Sequence, residues 1–240
     1  MIPTFSEAIV LYVAPLLALT AIILTLFALL APTLLLHDRV ALLTVSPSTA
    51  LQSSSSNGAD GPSIFMGVLG SCSRIKNDAS ISCTSAALSP IYDLSVLPGN
   101  APGSLLSAPI ASTAAFIAVA IVFMILFFMM FMVVSFSHKM NSKLKSTFAK
   151  PLFQRMAAWI GVFGFIIGLS SFAIIRVWFE KAVQDFNQGI AVQGKEGPKL
   201  IASLGNAFIM AWIGYGFLAV PVICCLTKIN TKAAAGKGSV

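Results

Sequence analysis

Residues Ala108 to Phe136 read APIASTAAFIAVAIVFMILFFMMFMVVSF, 29 positions without an acid, a base or a histidine. About 20 apolar residues carry a helix across the hydrocarbon core of a bilayer, so this run suits one span and is too short for two. Phe123, Phe127, Phe128, Met129, Met130, Phe131 and Met132 leave the helix apolar around its whole circumference. Part of it must therefore face lipid or another membrane protein.

Three more runs of the same kind lie on either side. Ala8 to Leu36 is uncharged between Glu7 and His37, and Met156 to Ile175 lies between Arg155 and Arg176. The last starts after Lys199 and ends before Lys228, with an apolar body from Ala202 to Leu226. Composition agrees: 57% of the 240 residues are hydrophobic and only 10% are charged, where a soluble domain carries about a quarter. The first run has no basic residue before it and is about twice the length of a signal's apolar core, so it is expected to stay as a span. Pro15 and Pro32 fall near its ends, where a helix tolerates them best. The expected fold is a bundle of four transmembrane helices at 8–36, 108–136, 156–176 and 200–226, with a small disulfide-bonded, strand-containing loop domain.

Lysine and arginine orient the bundle. The loop 137–155 holds Lys139, Lys143, Lys145, Lys150 and Arg155, and the tail 227–240 holds Lys228, Lys232 and Lys237, all without an acid. The loop 37–107 sets three basic residues against four acids, and the loop 177–199, counted with Arg176, sets four against three. With Glu7 in the segment 1–7, the whole net charge of +7 falls on one side. The positive-inside rule then places both termini in the cytoplasm. The same lysines suit anionic inner-leaflet lipid, at roughly 1 kcal/mol per basic residue near the surface. They hug the membrane ends, so the basic balance does not point to nucleic acid.

The loop 37–107 opens with Ser46-Pro47-Ser48-Thr49, Ser53 to Ser56 and Asn57-Gly58, which read as flexible chain, bare or O-glycosylated. No Asn-x-Ser/Thr sequon occurs. Ile64 to Leu69 reads as a short strand with Ser80 to Thr84 as its partner, and Asn77-Asp78 suits a turn. Cys72 and Cys83 are the two cysteines outside the spans. An oxidising compartment makes a disulfide between them the default, with two free thiols as the alternative. Two cysteines are too few for a structural zinc, which wants four ligands.

The third helix is expected to continue past the membrane. Phe179, Ala182, Val183 and Phe186 share one face that could cover the loop's strands, and a stop is expected near Asn187-Gln188-Gly189. Trp178 would sit at the membrane interface.

The spans carry little chemistry. No charged residue lies mid-membrane, and no metal-ligand, phosphate-loop or nucleophile motif occurs, so no catalytic, cofactor or metal site is expected. Asn206, near the start of the fourth span, is expected to bond a neighbouring helix. Gly161, Gly164 and Gly168 line one face of span three. Ala207, Ala211 and Gly214 line span four, and Ala111, Ala114, Ala115 and Ala118 lie on span two. Such stripes allow close helix packing, within one bundle or against another membrane protein. Cys224 and Cys225, just before Lys228, read either as small apolar filler or as palmitoylation sites.

The element Gly67-Val68-Leu69-Gly70-Ser71-Cys72, with Cys83 and Tyr92-Asp93-Leu94, resembles the claudin-type loop. So do Pro109-Ile110-Ala111 and Gly205-Asn206-Ala207-Phe208 at the starts of spans two and four. Within that superfamily the chain is most similar to the fungal PalI-type and cortical-patch (eisosome) four-span proteins. The tryptophan that animal claudins carry in this motif is missing, which argues against a tight-junction protein. Ser71 stands where the fungal proteins often have an aromatic. The resemblance implies a plasma-membrane organiser or accessory subunit with links to membrane domains, cell-wall integrity and pH sensing. Its partners would be integral membrane proteins, a second copy of the chain, or both. A pore or transporter is disfavoured by the uncharged spans.

Overall fold

A computed structural model describes residues 12–48, 60–136 and 151–237. The segments carrying Glu7, the serines Ser53 to Ser56, Asn57-Gly58 and the lysines Lys139 to Lys150 lie outside them. The described residues form four main helices: α1 (Ala14–Leu30), α2 (Ala111–Ser135), α3 (Pro151–Gln193) and α4 (Ala207–Lys237). Among the described residues three helical stretches are long and apolar enough to cross a membrane: Ala111–Ser135, Leu152–Gln193 and Ala207–Thr227. Helix α1 is equally apolar over its 17 residues.

α1 ends well before Leu36, where its uncharged run ends. A proline disfavours helical geometry in the residue before it, and Pro32 therefore stops the helix at Leu30. The chain then winds through a turn to Leu36, whose φ of 56° is unusual for a branched side chain. α3 runs 43 residues, about 65 Å at 1.5 Å per residue, roughly twice the thickness of a hydrocarbon core. It passes through Asn187-Gln188-Gly189, where a stop was expected, and ends at Gln193, followed by Gly194 with φ 60°. A left-handed residue closing a helix is where glycine costs least.

Five strands form one antiparallel sheet in the order β4-β3-β2-β1-β5. They are β1 (Leu43–Pro47), β2 (Ser63–Met66), β3 (Ser71–Arg74), β4 (Ser82–Cys83) and β5 (Leu200–Leu204). Three expectations are corrected here. Ser46 and Pro47 are not flexible chain but the end of β1, opposite Ile201 and Leu200. The Ser82–Cys83 strand pairs with β3 rather than with β2, because the glycine-bounded segment 67–70 is a turn that reverses the chain first. Residues 200–204 are a strand, so the fourth helix begins at Ala207 and not at 200. Their burial alternates, and β1 takes up their backbone along a full five-residue ladder.

The chain divides into two compact units. In the first, within Met1–Thr25, Ile117–Ser170 and Ala211–Val240, four helices meet through small residues. Gly161 lies on the ring of Phe127, Gly164 on Phe123 and the backbone of α2, and Gly168 on Tyr215 of α4. Gly214 faces Ala21 and Thr25 of α1. Thr25 returns its hydroxyl to the carbonyl of Ala21 at 2.8 Å, which satisfies it without water. Pro221 lies inside α4 and removes one helical hydrogen bond. In the second unit, Leu26–Phe116 and Ser171–Met210, the sheet packs with the adjoining helix segments. Phe179 and Phe186 of α3 are buried there, and Phe179 meets Phe208 edge-on at 6.4 Å. Asn187 reaches β5: its carboxamide oxygen accepts from the Ala202 N–H at 2.8 Å, and its nitrogen donates to the Ala202 carbonyl at 2.9 Å. The edge of the sheet is thereby closed by a helix.

Candidate functional site

The residues that carry the loop motif meet at one corner of the second unit. Gly67 to Gly70 form the turn between β2 and β3, with the Gly67 N–H donating to the Gly70 carbonyl at 2.9 Å. A side chain at Gly67 would run into the carbonyl of Ala31 and, at 2.5 Å, into Cδ of Pro32. One at Gly70 would meet Thr84 Oγ1 at 2.5 Å and Thr33 Cγ2 at 2.7 Å. Glycine is needed at both positions for close approach to the end of α1. Leu69, half-buried between them, accepts a hydrogen bond at its carbonyl from the Ala87 N–H.

Tyr92 and Asp93 lock the same turn from the other side. The Tyr92 hydroxyl donates to the Gly67 carbonyl at 2.7 Å, and burial pushes its phenol well above the ordinary range, so it stays a neutral donor. The Asp93 N–H donates to Ser71 Oγ at 2.9 Å. Hydrogen bonds from the side chain and backbone of Ser95 hold the Asp93 carboxyl below its usual value.

Cys72 and Cys83 are joined in a disulfide between directly opposed positions of β3 and β4. Cys72 is buried and Cys83 is exposed. His37 stands beside the bond, its Nδ1 2.6 Å from the Pro32 carbonyl, 3.5 Å from Cys83 Sγ and 3.9 Å from Cys72 Sγ. The three side chains bring potential ligand atoms within 4.8 Å of one another. Sulfurs bonded to each other lack the thiolate charge that a metal would require, so the bonded form is no metal centre. The sequence carries no local sign of this placement, since His37 lies 35 residues from Cys72.

A second anchor lies at the start of α4. Asn206, expected inside a span and bonded to a helix, instead precedes α4 and holds the 39–41 segment. Its Oδ1 accepts from the Ala41 N–H at 3.3 Å and its Nδ2 donates to the Arg39 carbonyl at 2.8 Å. The Ala207 N–H donates to the Ala41 carbonyl and the Gly205 N–H to the Leu42 carbonyl. A side chain on Gly205 would overlap the backbone of Ala41. Ala207 and Ala211 are fully buried. The two short motifs at Gly67 and Gly205 thus mark the places where backbone meets backbone. Strand β5 is bracketed by Pro198 and Gly205, but its residues Leu200-Ile201-Ala202 continue into the apolar run and show no alternation in sequence.

Trp178 donates its indole N–H to the Ser107 carbonyl at 3.2 Å. Neither Cys224 nor Cys225 is disulfide-bonded, and the two differ in surroundings. Cys225 is buried beside Phe131, Val134 and Ala157 around a space of about 20 Å³, too small for an acyl chain, whereas Cys224 is half-exposed. Any acylation should therefore use Cys224 alone. An acyl-exchange mass-tag assay is expected to show one hydroxylamine-dependent increment, abolished by Cys224→Ser and kept by Cys225→Ser. Two increments, or none, would contradict this. No protein-family model matches the chain, and no curated protein is significantly similar to it.

Proposed function

We propose that this chain is a non-enzymatic organiser of the plasma membrane, of the claudin-like fungal PalI and cortical-patch type. It has four spans and both termini in the cytoplasm, and it acts through lateral contacts with integral membrane proteins and with its own copies. The disulfide-stapled sheet faces outward, and the basic loop and tail lie on anionic inner-leaflet lipid. One observation carries the reading. α2 buries Ile117, Ala120, Met124 and Phe127 within its own unit, yet Val119, Val122, Leu126 and Met129 remain 45–58% exposed along a second apolar face. In a bilayer such a face costs nothing against lipid and is available to a partner helix, where side-chain packing supplies the attraction.

A photo-crosslinking residue at Val122 or Met129 tests this in native membranes, with buried Met124 as control. Both exposed positions are expected to capture membrane proteins, including a second copy of the chain. Capture of one large protein at fixed stoichiometry would assign the chain as that protein's accessory subunit. Crosslinks to lipid alone from both positions would overturn the lateral-contact reading.

A further inference from the structure

α3 changes character between Ala173 and Asp185. These twelve steps span about 18 Å at the helical rise. A groove of about 580 Å³ runs along this stretch, a volume typical of small-molecule sites. Its floor is apolar: Ile174 and Val177 are 63% and 68% exposed, and Ala173 lies beside them. Its wall is the indole of Trp178, which the hydrogen bond to Ser107 prevents from swinging away. At its upper end Lys181 Nζ lies 3.0 Å from Asp185 Oδ2, one turn along, and both side chains are open to solvent.

We infer that this groove binds one zwitterionic phospholipid. An acyl chain lies on Ala173, Ile174 and Val177, and the headgroup sits over the Lys181–Asp185 pair. The charge pattern selects the headgroup. A phosphate next to a quaternary or primary ammonium presents a negative and a positive charge side by side, and Lys181 and Asp185 present their complements in the same arrangement. An anionic headgroup would have to draw Lys181 away from Asp185, whereas a lipid without a headgroup would leave the pair closed on itself and add no polar contact to the acyl groove. A protein partner would have to bury the ion pair, and taking two charges out of water is costly. Under a headgroup the pair stays wet. Trp178, with its apolar body in the groove and its N–H bonded at the rim, has the amphipathic character of residues at the lipid–water boundary.

This inference rests on α3 being a membrane helix and not on the organiser reading, so its test uses the purified chain without partners. Native mass spectrometry from micelles supplied separately with 16:0/18:1 phosphatidylcholine, phosphatidylglycerol or diacylglycerol reads the retained lipid directly. The parent chain is expected to keep one phosphatidylcholine and at least severalfold less of the other two. Val177→Trp fills the groove from an exposed position and is expected to abolish retention. Asp185→Lys is expected to turn the preference toward phosphatidylglycerol, and the milder Asp185→Asn to remove it. An intact Cys72–Cys83 bond in each variant serves as the check on folding. Equal retention of all three lipids, or unchanged retention in Val177→Trp, would overturn the site. Failure of the parent chain to insert into phosphatidylcholine vesicles would instead overturn the membrane reading together with it.

Discussion

Replacing Cys83 by alanine should release β4 and destabilise the second unit by about 3 kcal/mol, the loop-closure contribution of a disulfide over a loop of this length. The bond spans a sequence separation of 11, and β4 has only two ladder positions, Cys72 opposite Cys83 and Ser73 opposite Ser82. Beyond these pairs, the edge is held by hydrogen bonds between Thr84 and Ser71, a short ladder for an exposed strand. The substitution would also leave a buried free thiol at Cys72 next to His37. Hydrogen exchange read by mass spectrometry should show faster exchange across Ser71 to Thr84, with no change from Ile117 to Phe131 in the first unit. Treatment of the parent chain with a phosphine reductant should reproduce the pattern. Unchanged exchange in Ser71 to Thr84 in both experiments would mean that the bond contributes nothing to holding the edge.

Gly67→Val should be at least as damaging. The added side chain meets the Ala31 carbonyl and Pro32 Cδ, and neither is the flexible end of a side chain that could move aside. Overpacking of this kind costs about 1–3 kcal/mol, occasionally more. A displaced turn would also lose the hydrogen bond from Tyr92 to the Gly67 carbonyl, roughly 1 kcal/mol more. In mild detergent Gly67→Val is expected to run largely as aggregate on size exclusion. Gly67→Ala should be intermediate. Leu69→Ala, in the same turn but half-buried, should elute like the parent chain. Parent-like elution of Gly67→Val would show that the approach of the turn to α1 is not tight.

Much of the helical part was legible because length and hydropathy alone mark a helix able to cross a bilayer. The run Ala108 to Phe136 and the structured helix Ala111–Ser135 differ by only a few residues. The motif around Gly67 and the two cysteines also stood out, since glycine and cysteine are read by their special covalent and steric properties. Composition alone could not say that Gly67 answers to Ala31 and Pro32, or that His37 lies against the disulfide.

The amino-acid order by itself determined the apolar helices, the asymmetric charge and the positions able to form one disulfide, because these depend on hydropathy, length and residue type along the chain. Tertiary structure alone decided that Leu200–Leu204 is a strand, that Asn206 holds the 39–41 backbone and that Asn187 closes the sheet edge. Each of these depends on a backbone donor or acceptor contributed from elsewhere: 15 residues away for Asn187, 165 or more for Asn206. An apolar run ending in a strand looks the same in sequence as one ending in a helix until another segment arrives to pair with its backbone.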